Sequence, residues 1–191
     1  DNPDAPTCME HTDTWRCARC TGNCELPLPS CTDAHAVYLA GFAPRTFKIG
    51  VTRLNRVYAR LMEQGAEVGA HIHTVSNGRI ARQLEQEYAR DIPDRIAISE
   101  KLPGLVEGMN LDAWRSLLDD FTVLDTFDVK YGLSLSTQPL QETLATGTVL
   151  GVKGRLLVLE HGGNSYVVDT RDLIGHELVP VATDRELQSS F

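Results

Sequence analysis

The spacing of apolar residues changes along the chain, and the changes predict its elements. Ala36–Phe42 alternates weakly and predicts a strand. Ala43-Pro44-Arg45-Thr46 predicts a turn, because Pro44 fixes φ and removes a donor. Phe47–Thr52 predicts the return strand. Period two puts Val37 and Leu39 on one face and Tyr38 and Ala40 on the other. In the partner, Ile49 and Val51 oppose Lys48 and Gly50. Tyr38 and Lys48 are therefore expected on one face of the hairpin, away from the aliphatic core. Asn55–Gln64 predicts a helix with Val57, Leu61 and Tyr58 inward and Gly65 as its stop. Arg56 and Arg60 then share a face one turn apart. Val68–Val75 predicts a third strand, with His71 and His73 on one side and Ile72 on the other. Ser76-Asn77-Gly78 opens a helix over Arg79–Arg90, with Ile80, Leu84 and Tyr88 as its inward stripe.

Residues 91–110, broken by Pro93, Pro103, Gly104 and Gly108, read as turns with short helical pieces. Leu111–Phe121 predicts a helix starting near Asn110, and Thr122–Val129 a strand. From Thr146 short β-like runs follow: Val149–Val152, Arg155–Glu160, Ser165–Asp169 and Glu177–Val181. Glycine-rich turns separate them, which predicts an antiparallel meander. The pattern is α+β, divided into a Cys-rich segment at 1–34, a core at 35–130 and a small β unit at 131–191.

All five cysteines fall between Cys8 and Cys31. Segment 1–34 has almost no aliphatic content besides Leu26 and Leu28 and cannot build its own core. Cys17, Cys20, Cys24 and Cys31 have the spacing of a tetrahedral thiolate site, and a structural zinc there would supply folding energy. Cys8 and His11 could replace one ligand or belong to a second site. An odd cysteine count weighs against disulfides, and the lack of a surrounding βαβ pattern weighs against a redox pair.

No apolar run approaches the roughly 20 residues of a membrane span. The chain opens on Asp1 and a polar segment, which reads as a soluble cytoplasmic protein without a signal peptide and as a piece of something longer. Its formal charge of -8 repels polyanions on average. Cations are nevertheless crowded: Arg45, Lys48, Arg53, Arg56, Arg60, Arg79 and Arg82 occupy one third of the chain. Lysine is scarce, 4 residues against 14 arginines.

The unit at 35–90 resembles the GIY-YIG nuclease-like core. Ala36-Val37-Tyr38 stands for the first tripeptide and Lys48-Ile49-Gly50 for the second, with Gly50-x-Thr52 continuing it. Arg60 matches the helix arginine, with Arg56 competing, and Glu85 matches the metal-binding glutamate. More closely, Val37-Tyr38-Leu39-Ala40, Lys48-Ile49-Gly50-Val51-Thr52-Arg53 and Gln64-Gly65-Ala66 look like the uncharacterised domain of unknown function 2797 family. That family also has clustered cysteines before the hairpin and a Gly-x-Lys-Gly segment, matched by Gly151-Val152-Lys153-Gly154.

The resemblance implies a small three-stranded sheet with helices. It further implies Tyr38, Lys48, Arg60 and Glu85 as catalytic residues, and Thr52, Arg53 and Arg56 as substrate contacts. Glu85 would hold a Mg2+ or Mn2+ ion. The expected function is a divalent-metal-dependent nuclease or phosphodiesterase with a structural zinc. The replacement of the second tyrosine by Lys48 favours an alternative, a non-catalytic module binding nucleic acid or a nucleotide. Lysine accepts a proton only if desolvation lowers its pKa. A third reading is a protein-interaction scaffold, drawn from the acidic surface. The histidines at 71 and 73 could line the site or be structural.

Overall fold

A computed structural model of the chain describes residues 33–143 and 146–176. The cysteines, His11 and the run at 177–181 lie outside the described residues. Among the described residues, two mostly antiparallel sheets and three α-helices form a mixed α+β fold. Among the described residues no helix is long and apolar enough to cross a membrane.

The first sheet contains β1 (His35–Phe42), β2 (Thr46–Arg53), β3 (Val68–Val75) and β4 (Asp125–Asp128), in the order β2-β1-β3-β4. It is four-stranded, not three-stranded, because β4 takes the free edge of β3 with Gly69 opposite Phe127. β1 is paired on both edges, and side chains from the helices pack on both of its faces. Ala36, Tyr38, Ala40 and Phe42 pack with Val57 and Leu61 of α1 (Val57–Gln64). Val37 and Leu39 pack with Ile49, Ala70, Ile72, Ala81 and Trp114 on the other face. Tyr38 therefore lies in a core of its own under α1, a correction to its expected place away from packing.

The first helix opens as a 3-10 turn over Leu54–Arg56 and becomes α-helical at Val57. Gly65 closes it at φ 79°, the left-handed stop that glycine adopts freely. Tyr58 points outward and meets Phe127 rather than the core. α2 (Gly78–Tyr88) is capped by Asn77, whose side-chain oxygen accepts from the Ile80 amide at 2.9 Å. Its inward stripe is Ala81, Leu84 and Tyr88, while Ile80 is 40% exposed. α3 (Leu111–Leu118) is capped by Asn110 and lays Trp114 against Phe47.

A β-bulge between Val37 and Tyr38 inserts one residue into β3. His73 then pairs with Val37 and His71 with Tyr38, so the histidines leave their expected common side. Both are satisfied internally. His71 shares Nε2 with the His73 carbonyl and Thr74, and His73 Nε2 meets the Tyr88 hydroxyl at 2.7 Å.

The second sheet runs β5-β8-β7-β6, from β5 (Leu140–Glu142), β6 (Thr148–Lys153), β7 (Leu156–His161) and β8 (Asn164–Asp169). The strand β5 was not expected, and it joins β8 in parallel. Leu156, Val158 and Val167 pack with Leu102 and Leu105 of the turn region. The Gly-x-Lys-Gly segment joins the two halves. Lys153, 3% exposed, forms an ion pair with Glu67 and donates to the Gly104 carbonyl at 2.8 Å. A Cβ on Gly154, at φ 59°, would lie 2.5 Å from the Gly65 amide nitrogen. Gln64-Gly65-Ala66 and Gly151-Val152-Lys153-Gly154 thus form one interlocked joint.

Candidate functional site

The face of the first sheet beneath α1 carries the chemistry. Register places Gly50 opposite Tyr38, Lys48 opposite Ala40 and Thr52 opposite Ala36, so Tyr38, Lys48 and Thr52 share a face. Gly50 has no positive φ. Its requirement is space, since a Cβ there would stand 2.6 Å from the Tyr38 hydroxyl oxygen. The Tyr38 ring lies across Gly50 and is 1% exposed.

The Arg60 guanidinium and the Gln64 amide, both from α1, act on that hydroxyl and favour its charged form. Gln64 Oε1 is buried and, among the described residues, meets no donor. Burial raises the Tyr38 pKa to about 12, only partly opposed by Arg60 and Gln64. Tyr38 therefore remains a neutral phenol at physiological pH, fit to position and not to accept a proton.

Lys48 is different. Burial lowers its pKa to about 8, helped by Arg60 and Arg82 and opposed by Glu85 and Asp94. Its ammonium donates to the Asp94 carbonyl at 2.6 Å. Arg60 also pairs with Glu63 at 3.0 Å, and Arg56 meets the other oxygen of that carboxylate at 2.6 Å. Burial opposes the charge on Arg60, but Tyr38 and Glu63 outweigh it and hold the guanidinium firmly protonated.

Glu85 comes from α2 and turns inward, with its side chain 13% exposed, and its charge is felt by both Tyr38 and Lys48. Tyr38, Lys48, Arg60 and Glu85, from four different elements, are thus brought into one electrostatic neighbourhood. Thr52 shares the sheet face of Tyr38, and Arg56 is tied to Arg60 through Glu63. Arg53 is exposed and turned towards Asp33, 3.9 Å away.

A resident Mg2+ or Mn2+ does not fit the protein donors alone. Glu85 is bound to Arg82 at 2.5 Å, with Lys48 and Arg60 adding like charge to the ion. Among the described residues, no group of three His, Cys, Asp or Glu could hold a metal. Divalent cations seek several oxygen ligands and net negative charge.

Sequence reasoning missed Gln64, Arg82 and Lys101. Lys101 lies in the 3-10 turn Ser99–Lys101, donates to the Gln64 carbonyl at 2.8 Å and stands 4.7 Å over the Phe42 ring. Its rarity as one of four lysines was a signal, and Gln64 fell within a stretch already matched to the family. A separate cavity of about 230 Å³, lined by Glu67, Tyr131 and Lys153 among others, includes none of the four central residues.

Fold and site together define a mixed α+β protein with a cationic, tyrosine-centred cluster on its first sheet. A family model described as Protein of unknown function (DUF2797) matches residues 3–178, and the chain belongs to that family. No curated protein and no solved structure matches it.

Proposed function

We propose that the protein is a phosphodiesterase of the nuclease type, acting on nucleic acid at the Tyr38 cluster. The observation that supports this reading is that the charges of Arg60 and Glu85 both act on Tyr38 and on Lys48. The order β1-β2-α1-β3-α2 also matches the order of a GIY-YIG nuclease-like core.

Each residue has a role set by its surroundings. The Lys48 amine takes the proton of an attacking water, which its depressed pKa permits. The new hydroxide attacks phosphorus, the bond to the leaving oxygen breaks, and solvent protonates that oxygen. Arg60 faces the charge that grows on the phosphoryl oxygens. Glu63 holds the guanidinium at 3.0 Å, and Glu85 anchors Arg82. No step is routed through a divalent metal.

Incubation with single-stranded and structured DNA and RNA, with EDTA and separately with Mg2+ or Mn2+, tests the reading. Arg60→Ala is expected to lower cleavage by about a hundredfold, the loss of one preorganised charge donor. Absence of cleavage by the wild type under every condition overturns it.

The alternative, a binding module without turnover, is favoured by the sealed Tyr38 hydroxyl, because the cationic rim can grip phosphate without it. Salt-dependent binding without product is its signature.

The N-terminal segment completes the reading as a structural zinc site on Cys17, Cys20, Cys24 and Cys31, with Cys8 and His11 as further ligands. Elemental analysis is expected to return about one zinc per chain, or about two if the second site is filled. A folded, reduced, metal-free protein overturns the assignment.

A further inference from the structure

Lys48 and Lys101 are both partly enclosed, and among the described residues neither has an ionic partner. Lys48 stands on β2 opposite Ala40. Lys101 stands over the ring of Phe42, two residues along the same face of β1. Each spends one N–H on a peptide carbonyl, of Asp94 and Gln64 respectively. Among the described residues, no carboxylate lies within ion-pair distance of either ammonium. Glu85 and Asp94 act on Lys48 only at longer range, and Asp169, felt by Lys101, is already bound to Arg155 at 2.6 Å.

Two neighbouring, half-desolvated cations without a counterion are costly to a fold. Burial first, then the charge on Lys48, lowers the Lys101 pKa to about 8. Capping the C-terminus of α1 explains one hydrogen bond of Lys101, but it does not explain the placement of a second unpaired lysine beside it.

We propose that Lys101 provides a second phosphate cradle beside the Arg60 and Lys48 site, so that the ligand carries two adjacent phosphate groups. The proposal rests on the phosphodiester reading above and adds a ligand requirement to it. The phosphate under attack faces Arg60 beside the Lys48 amine, and the next meets the Lys101 ammonium. The ligand is either a nucleic-acid strand or a small compound with a pyrophosphate linkage.

Titration of the full chain with a short single-stranded oligonucleotide and with inorganic pyrophosphate separates these sources. Lys101→Gln keeps a donor for the Gln64 carbonyl but removes the charge. It is expected to weaken binding of the true ligand about tenfold. For a strand, the log–log salt slope should also fall by about one unit. Lys101→Arg should restore most of the affinity in a protein of unchanged far-UV circular dichroism. If Arg60→Ala weakens binding but Lys101→Gln leaves affinity and salt slope unchanged, the cradle is overturned and the Arg60 site stands. If the wild type binds neither probe, both fall.

Discussion

Lys48→Met is expected to reduce phosphodiester turnover about a thousandfold, within the range for loss of a positioned general base. Lys48→Arg should fare little better, because it keeps the charge but cannot give up its proton at neutral pH. That contrast separates a base from a phosphate grip, for which arginine would serve well. The pH profile carries the same information. The active form is the neutral amine, so turnover must rise with pH and level off above the Lys48 pKa of about 8. At pH 7 about one-tenth of the lysines are neutral, against a few per ten thousand for an unperturbed side chain. The neighbouring charges set the limb. Arg60 and Arg82 hold it low, while Glu85 and Asp94 push it up, so Glu85→Gln should move it to lower pH. A wild-type rate constant that is flat from pH 6 to 9, or an active Lys48→Arg, excludes Lys48 as the base.

The same shift predicts that the Met variant folds. Folding disfavours the ammonium, since the folded pKa lies below the free value of 10.5. This penalty is fully present below about pH 8 and fades as pH rises towards 10.5. Lys48→Met removes it, so thermal midpoints at pH 7 should hold or rise while activity falls.

The hairpin was legible because period two and Pro44 act locally. The site residues were legible only as residue types, because their meeting depends on packing. The face of Tyr38 illustrates the difference. His35–Phe42 is almost continuously apolar or small, which is what a strand covered on both faces requires. Reading it as weak alternation left one face open to solvent. The phase of α2 slipped for a related reason. Ala81 is a weak hydrophobic signal but the residue small enough to lie against the sheet, and so the more apolar Ile80 was assigned the inward place. The bulge in β3 leaves no mark in composition, yet it decides that His71 lies with Tyr38 and His73 with Tyr88. Lys101 sits in a turn region broken by prolines and glycines, where no period links it to Lys48. Its place is fixed by the Gln64 carbonyl and the Phe42 ring, both tertiary contacts.

Gly154→Ala is expected to destabilise the protein by about 2–5 kcal/mol, combining the left-handed backbone cost with overpacking. The atoms a methyl would strike are Gly65 N at 2.5 Å, Gln64 C at 2.7 Å and Gly65 Cα at 2.8 Å, all backbone. None can rotate away, so the β6–β7 turn must lift from the end of α1. Lys153 precedes this turn, and lifting it strains the buried pair with Glu67, whose other oxygen accepts from the Ala43 amide at 3.1 Å. Gly162→Ala provides an internal control. Its φ is 58°, nearly the same, but nothing lies within 4 Å of its Cβ position. It should lose only the backbone cost, about 1–2 kcal/mol. Urea midpoints at constant m isolate the difference as the cost of the close approach. Equal losses at the two glycines would mean that the halves do not interlock there. The effect should also reach the site, because the Gln64 side chain acts on Tyr38 and its carbonyl accepts from Lys101. Gly154→Ala should therefore weaken phosphate binding while the protein remains folded at low temperature, and Gly162→Ala should not.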